Sequence, residues 1–487
     1  MGNYLNSPTA LEKKCELHYH VNRPARKIAA RNEGPPNAKL DNLPQDVLCT
    51  ILSKLPAREA VRSSVLSSEW RYIWTACPRL SFNHNDDVRR HGGKPNAQVF
   101  VDHVNEVLQK HRGKAIDHLE IKFTFQSNLT YHLNNWIRFA ISSQTKNLAL
   151  DLAPPSDFLK HGDHYRFPFQ LFDKESVSCL ECLQISFVSF KPPPAQFIGF
   201  PNLRKLDLHL LNTTRQDLDT ILCSCENLEW LSIVRCQLKD ELEFSRPLSQ
   251  LRYFRVKHCN NITKIQFHAA KLSTFMYRGD CIPIALHHSI KLEKAEVIFH
   301  DLTFQHCTAA LLDGLPGVRN LTLEFTFQRM ETTWVLDSRR VFSQLRHVQI
   351  VMIMCEEDED KILYIVSLLR VAPFLENLEV HLDSSYTLWF AKGGPSRLDI
   401  PACGYKYLNL KNMHLTGFRA ANSHIQLLLH VVENAPVIDT LTVDTCERLV
   451  DLRKTEKIKP GLRCAALDTV RFRLRESLQP GAKLYLL

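Results

Sequence analysis

LEWLSIVRCQL (228–238) and LRYFRVKHCNNI (251–262) share one phrase: an apolar residue, two others, an apolar residue, one other, a third apolar residue, then a cysteine three places on. The alternation at the centre of each phrase is that of a strand with one buried face. IDTLTVDTCERL (438–449) fills the same frame almost two hundred residues later. Looser copies stand at Ile116-Leu119-Ile121, Leu148-Leu150, Leu180-Leu183-Ile185, Leu203-Leu206-Leu208, Leu272-Phe275-Tyr277, Leu292-Ala295-Val297, Val318-Leu321-Leu323, Leu345-Val348-Ile350, Leu375-Leu378-Val380 and Tyr405-Leu408-Leu410. Together they make thirteen phrases spaced by about 20 to 35 residues, a period that signals a solenoid of stacked repeats.

Between phrases run helical segments, TRQDLDTILCSCENL (214–228), DKILYIVSLLRVAP (360–373) and SHIQLLLHVVENAP (423–436). In the last, Ile425, Leu428, Leu429 and Val432 share a face, and Pro436 stops the helix before the next strand. The fold class predicted is α/β, a curved parallel sheet with outer helices. Thirteen strands about 4.8 Å apart would give an arc of roughly 60 Å. No repeat hides its own apolar edge, so both ends need caps. The final stretch, VRFRLRESLQPGAKLYLL (470–487), reads as a helix, a Pro-Gly break and a short strand. Strand positions between the apolar ones face outward, which makes Asp207, His209, Glu229, Ser232, Arg252, Arg255 and Lys257 candidates for holding a target, with Glu324 and His347 beyond them. Cys236, Cys259 and Cys446 occupy the place where the chain turns inward after a strand, a role for a small buried filler rather than a metal ligand.

Ahead of the repeats, LDNLPQDVLCTILSKLPAREAVRSSVLSSEWRYIWTACPRLSF (40–82) has a different period. Leu43, Val47, Leu48, Ile51, Leu52 and Leu55 recur at three- and four-residue steps, between Pro44 in the first turn and a stop at Pro56. A second helix carries Ala60, Val61, Val65 and Leu66, and a third carries Trp70, Ile73, Trp74 and Cys77 before Pro78. Each is expected to run about three turns. Some forty residues without disulfide or metal are too few to be stable alone, so the apolar surface needs a cover, either the following domain or another protein.

Composition narrows the rest. The 487 residues exceed one compact core, and 44% apolar with 23% charged residues is that of an ordinary folded chain. Of the net charge of +9, residues 1–40 supply +4 through seven Lys/Arg and three acids, and no aromatic-studded basic stripe follows, so nucleic acid is not expected as a partner. Fifteen cysteines, an odd number at irregular spacing, with no apolar leader, argue for free thiols in a reducing compartment. No apolar run approaches the roughly 20 residues that span a bilayer, so no membrane association is expected. The CxxC at Cys179 and Cys182 and the CxC at Cys223 and Cys225 lack a second pair, and no HExxH, GxGxxG or phosphate-loop lysine appears, so no metal, cofactor or catalytic residue is assigned.

The arrangement LPxDxLxxILSxLPxxEAVRxSVLSxxWRxxW is similar to the plant F-box, with Leu43, Pro44, Asp46, Leu48, Ile51, Leu52, Leu55, Pro56, Val61, Ser64, Leu66, Ser67, Trp70, Arg71 and Trp74 as landmarks. Ala57 departs from the pattern where relatives often carry a Ser or Thr able to cap the second helix. The repeats resemble leucine-rich repeats. The stretch 369–445, with Gly417-Phe418 and Glu433-Asn434-Ala435-Pro436, resembles the FBD region of plant F-box proteins. The resemblance divides the chain into a basic tail (1–39), an F-box (40–82), a connecting segment (83–112), leucine-rich repeats (113–368), FBD-like repeats (369–445) and a C-terminal cap (446–487). It implies a non-catalytic substrate receptor of an SCF ubiquitin ligase, whose F-box docks a Skp-type adaptor and, through it, cullin, and whose repeats hold an unidentified target protein. A scaffold or signalling receptor that binds the adaptor without delivering a substrate is the alternative. The resemblance implies an adaptor-facing set drawn from Leu43, Pro44, Val47, Leu48, Ile51, Leu52, Leu55, Pro56, Val61, Leu66, Trp70 and Trp74, with Val65, Leu66 and Trp74 equally able to form the internal core. The nucleus, the cytoplasm or both are the expected locations.

Overall fold

The computed structural model describes residues 43–66, 70–84, 97–113, 115–154, 163–190, 197, 199–238, 241–259, 261–286, 289–300, 304–326, 340–354, 359–384, 400, 405–447 and 460–487. The basic tail and residues 355–358, three of them acidic, lie outside them. Two compact units result, one within Pro35–Leu292 and one within Glu293–Leu487.

The first unit opens with three short helical pieces: α1 (Gln45–Leu52), α2 (Ala57–Arg62) running into a 3-10 turn (Ser63–Val65), and α3 (Trp70–Ile73) running into another (Trp74–Ala76). They are shorter than the periodicity predicts. Pro44 and Pro56 stand just outside α1 and α2 as their N-caps, in extended conformation, rather than inside the first turn. A proline there cannot continue a helix backward, which clips both starts. Ala57 is the first helical residue and is buried, so the capping position is Pro56 and Ala57 loses no cap.

Next comes β1 (Arg79–Asn83), which overlaps the end of the 40–82 segment and is the first strand of the sheet. Then follow α4 (Ala97–Lys110), β2 (His118–Lys122), α5 (Thr130–Ser142), β3 (Asn147–Asp151), β4 (Tyr165–Arg166), α6 (Lys174–Cys179), β5 (Cys182–Ser186), β6 (Val188–Ser189), β7 (Lys205–His209), α7 (Arg215–Leu222), β8 (Trp230–Val234), β9 (Leu242–Glu243), β10 (Tyr253–Lys257), β11 (Ile265–Gln266), β12 (Thr274–Asp280) and β13 (Ile284–Ala285). The long strands pair in parallel in the order β1-β2-β3-β5-β7-β8-β10-β12, while β13-β11-β9 and β4-β6 form small accessory sheets.

Four successive repeats leave their strands, β5, β7, β8 and β10, by a left-handed residue: Phe187, Leu210, Arg235 and His258 have φ between 51° and 56°. Their N–H groups donate to carbonyls of the next strand, those of His209, Val234, Lys257 and Arg278, at 2.7–2.9 Å. This turn directs Cys236 and Cys259 inward, where their thiols donate to the carbonyls of Leu208 (3.5 Å) and Ile233 (3.4 Å) in the preceding repeat. The cysteines thus tie each turn to the strand of the preceding repeat.

The second unit holds β14 (Lys294–His300), α8 (Phe304–Gly314), β15 (Asn320–Thr326), β16 (His347–Met354), a 3-10 segment (Glu359–Tyr364) with α9 (Ile365–Arg370), β17 (Asn377–Ser384), β18 (Asn412–Thr416), α10 (Asn422–Asn434), β19 (Thr440–Val443), α11 (Pro460–Leu474) and β20 (Lys483–Leu486). Its strands stack in chain order, all parallel. Two sequence expectations are corrected here. The strand near residue 410 carries Leu410-Met413-Leu415, and Leu408 is 64% exposed on the approach to it. Cys446 is exposed, and Thr445, 2% exposed, takes the inward place with its hydroxyl directed at the Leu487 carbonyl.

Candidate docking surfaces

Leu43, Val47, Ile51 and Leu55 follow one another at four-residue steps, which stacks them as a single ridge along α1 and its ends. All four are open, at 36–41% exposure, and the exposed Pro44 and Pro56 extend the ridge. A second apolar group lies beyond it, with Val65 at 86%, Leu66 at 66% and Tyr72 at 60% exposure. A folded chain rarely leaves so many large apolar groups together in water unless something docks there.

The ridge beside it on α1, Leu48 and Leu52, points the other way. With Ala57, Ala60, Trp70, Ile73, Trp74 and Cys77 it makes the internal core of the three helices, each residue at most 7% exposed. Leu48, Leu52 and Trp70 are therefore placed inside the chain, not on the open face where the resemblance had put them, and Trp74, which it left open, is internal as well. Val61 is half-buried between the two. The tryptophan helix is further tied to the first repeats: the Thr75 carbonyl accepts from Arg112 N (2.7 Å) and Gly113 N (3.2 Å), and the Pro78 carbonyl from Asp117 N (2.8 Å) and His118 N (3.1 Å). The body of the protein covers one side of the three-helix unit and leaves the other open. Val65 and Leu66, which the resemblance left equally able to form the core, and Tyr72, not singled out at all, belong to the open side. Tyr72 was legible as the aromatic that falls off the Trp70-Ile73-Trp74-Cys77 stripe.

On the sheet of the first unit, register sets the candidate target residues into a grid. Lys205, Trp230, Tyr253 and Thr274 are aligned across β7, β8, β10 and β12; beside them run Asp207, Ser232, Arg255 and Met276, then His209, Val234, Lys257 and Arg278. Arg255 reaches over two strands, donating to Ser232 Oγ at 3.0 Å and lying 3.7 Å from the Asp207 carboxylate. Ser232 is covered completely by this arrangement. Glu229 stands between Arg204 and Arg252, at 3.8 and 3.9 Å. The register thus aligns Asp207, His209, Ser232, Arg255 and Lys257 on the strands, whereas Glu229 and Arg252 lie just before β8 and β10; Asp207, Glu229, Arg252 and Arg255 are already engaged with one another or with Arg204. Sequence reasoning missed the aromatic centre of the grid. Trp230 stacks on Tyr253 with ring centroids 3.4 Å apart, and the Lys205 ammonium lies 5.3 Å from the Trp230 centroid. Its signal was present, since both aromatics sit just before the second apolar residue of consecutive phrases. Burial, and then the charge of Arg235, pushes the His209 imidazole below its ordinary pKa.

In the second unit the corresponding strand positions form a hydrogen-bonded cluster. Glu379 accepts from Gln349 Nε2 at 2.8 Å and lies 3.3 Å from His381 Nε2 and 3.4 Å from His347 Nε2. His381 is 2% exposed, with Nδ1 2.9 Å from Thr416 Oγ1. Glu324, one of the outer candidates, is 3% exposed and not open to a partner. The His381 hydrogen bond, with help from Gln349, lowers the Glu379 pKa from 4.5 to about 2. A carboxyl depressed in the folded state contributes stability above its unfolded pKa and loses it as the pH falls through the folded one. Glu379→Gln is therefore expected to flatten the fall in melting temperature between about pH 4.5 and 2 relative to wild type, read by circular dichroism; an unchanged acid limb contradicts it.

A cleft of about 360 Å³ at the N-terminal ends of β7 and β8 is lined by polar groups, among them Glu181, Asn202, Arg204 and Glu229. Among the described residues no three His, Cys, Asp or Glu side chains are grouped to hold a metal ion, and no helix is long and apolar enough to cross a membrane.

Comparison with known proteins agrees with this geometry. A family model described as the At1g61320/AtMIF1 LRR domain matches residues 107–475, and the F-box domain model matches 40–82. The chain is similar to the Arabidopsis thaliana F-box/FBD/LRR-repeat protein At1g13570, 23% identical over 83% of this chain and 91% of that protein. It is similar to the putative FBD-associated F-box protein At5g56690 of the same plant, 29% identical over 41% of this chain and 47% of that one. With the putative F-box/LRR-repeat protein At1g56400, also of Arabidopsis thaliana, it shares 30% identity over 50% of this chain and 51% of the other. The chain spans about half the length of these last two. A three-helix unit open on one side, joined to parallel repeats that one family model covers from 107 to 475, leaves no other assignment: the chain belongs to the plant F-box/FBD/leucine-rich-repeat family.

Proposed function

We propose that this chain is the non-catalytic substrate-recognition subunit of an SCF ubiquitin ligase, acting in the nucleus or the cytoplasm. The open ridge Leu43-Val47-Ile51-Leu55, with Val65, Leu66 and Tyr72, is the seat of a Skp-type adaptor, and cullin joins through that adaptor. The sheet face of the repeats holds the target. The observation that carries this reading is the division of one amphipathic helix, α1, between an inner ridge buried in its own unit and an outer ridge left in water. Chemistry is left to the conjugating enzyme. The receptor's contribution is proximity, which raises the effective concentration of a target lysine near activated ubiquitin.

A chain carrying Val47→Asp and Ile51→Asp, both exposed on the outer ridge, keeps the target face but loses the adaptor seat. In proximity labelling it is expected to retain its targets, and those proteins should accumulate in cells that express it. Adaptor binding by the full chain without accumulation of any labelled protein would identify a scaffold instead of a receptor.

A further inference from the structure

The strands β17, β18 and β19 bury their core side chains almost completely: Leu378, Val380, Met413, Leu415, Leu441 and Val443 are at most 1% exposed. The last strand does not. In β20 the matching residues Leu484 and Leu486 are only partly buried, and Tyr485, between them, is 47% exposed. The main chain is open there as well. Lys483 and Leu487 donate their N–H groups to the Asp439 and Val443 carbonyls, and the Leu487 carbonyl accepts from Thr445 N. Alternate residues of a parallel strand serve one neighbour, so 483, 485 and 487 serve β19, and the N–H and C=O groups of Leu484 and Leu486 point the other way. β20 ends the strand order, and among the described residues those two N–H groups have no partner.

We propose that this edge joins two copies of the chain, β20 pairing antiparallel with β20 of the second copy about a two-fold axis that passes through Tyr485 normal to the sheet. Leu484 then faces Leu486 of the second copy, and Leu486 faces its Leu484. These are the residues whose main-chain groups point outward, so each couple exchanges two hydrogen bonds, and the two leucine couples complete the apolar layer that β20 leaves open. Of the registers that keep the two faces matched, this one pairs both leucines with leucines. Tyr485 meets its own copy at the close, non-hydrogen-bonded position, where aromatic pairs are favourable. Charge agrees. Lys483 stands at the start of the strand, not at its centre where it would block pairing, and it comes within two strand intervals, about 10 Å, of Asp444 of the second copy. Arg255 spans the same two intervals to reach Asp207 in the first unit. A strand from another protein could meet the main chain alone; a second copy meets the leucines, the tyrosine and the lysine too. Four residues make a small contact, so a Kd on the order of 10 μM is expected.

The test is sedimentation equilibrium of the full chain from about 1 to 200 μM, a range that brackets such a Kd. Wild type is expected to pass from monomer to dimer and no further. Tyr485→Lys and Tyr485→Glu each set like charges against one another at the axis and should weaken the dimer at least tenfold, while melting as wild type because the position is exposed. Mixing the two variants brings opposite charges together and should restore the dimer. Tyr131→Lys, the same change at a 69% exposed helix position of the first unit, should dimerise as wild type. A chain that stays monomeric throughout overturns the proposal and leaves the edge to a strand of another protein. A dimer that survives Tyr485→Lys, a loss shared with Tyr131→Lys, a mixture that stays monomeric, or assembly beyond the dimer overturns it equally.

Discussion

Ile51→Asp is expected to abolish capture of a Skp-type adaptor while leaving the chain folded. Ile51 is 39% exposed in the middle of the outer ridge, so the substitution adds a carboxylate to a site already in water. Exposed changes of this kind alter stability by no more than about 0.5 kcal/mol, and the melting curve should superimpose on wild type. In a complex the same position would be covered, and an unpaired carboxylate at the centre of an apolar contact should cost about 2.8 kcal/mol or more, at least 100-fold in Kd. Titration calorimetry with purified adaptor measures it. Leu48→Asp gives no such separation. Leu48 is 3% exposed among Trp70, Ile73 and Trp74, and its loss of binding would report an unfolded module. Retained adaptor affinity in Ile51→Asp, with Val47→Asp beside it, would remove the outer ridge as the docking face.

Gly417→Ala is expected to be the most damaging single-methyl change in the second unit. Gly417 ends β18 at φ +71°, with its N–H donating to the Cys446 carbonyl at 2.9 Å. Positive φ alone does not demand glycine here, because Phe187, Leu210, Arg235 and His258 adopt it at the ends of their own strands. Space does. A Cβ on Gly417 would stand 2.1 Å from the Leu382 carbonyl oxygen, a backbone atom of the adjacent strand that cannot rotate away. Strain of about 1–2 kcal/mol for the left-handed alanine, plus 1–3 for the overlap, predicts a loss of roughly 2–5 kcal/mol. For a unit of this size that is a fall of about 5–15 °C in melting temperature. Gly461→Ala is the control, since nothing lies within 4 Å of a Cβ there. A Gly417→Ala protein that melts with wild type would mean that the two strands separate more readily than their pairing implies.

The repeat strands were legible because each buries two or three alternate side chains and the spacing of those residues is local. Leu206 and Leu208, or Phe254 and Val256, announce a one-sided strand without reference to anything else in the chain. Register was lost where the pattern is imitated. Tyr405-Leu408-Leu410 has the right spacing five residues early, whereas the strand itself uses Met413 between Leu410 and Leu415. Cys446 matched its frame but the inward turn falls one residue earlier, at Thr445. The three-helix unit shows a different limit. Periodicity gathers Leu43, Val47, Leu48, Ile51, Leu52 and Leu55 on one broad side of α1, and burial divides that side into adjacent ridges of opposite destination. Nothing in the spacing distinguishes residues covered by their own chain from residues covered by another. On the sheet face, charge could be read from the sequence, but the pairing of Asp207 with Arg255 spans three strands and depends on a register that only the fold supplies.

The carbonyls of Thr75 and Pro78, which receive four main-chain N–H groups from residues 112–118, join the tryptophan helix to the first repeats without a swinging linker. A tether of free chain would let any cargo sample a wide volume around the ligase, and lysines on most of its surface would come within range. Here the mounting is a bracket. If the ridge on α1 is the seat proposed for it, cargo gripped by the neighbouring strands is offered in nearly one pose, and the site of ubiquitin attachment is chosen by where that pose leaves a lysine rather than by which lysine reacts fastest.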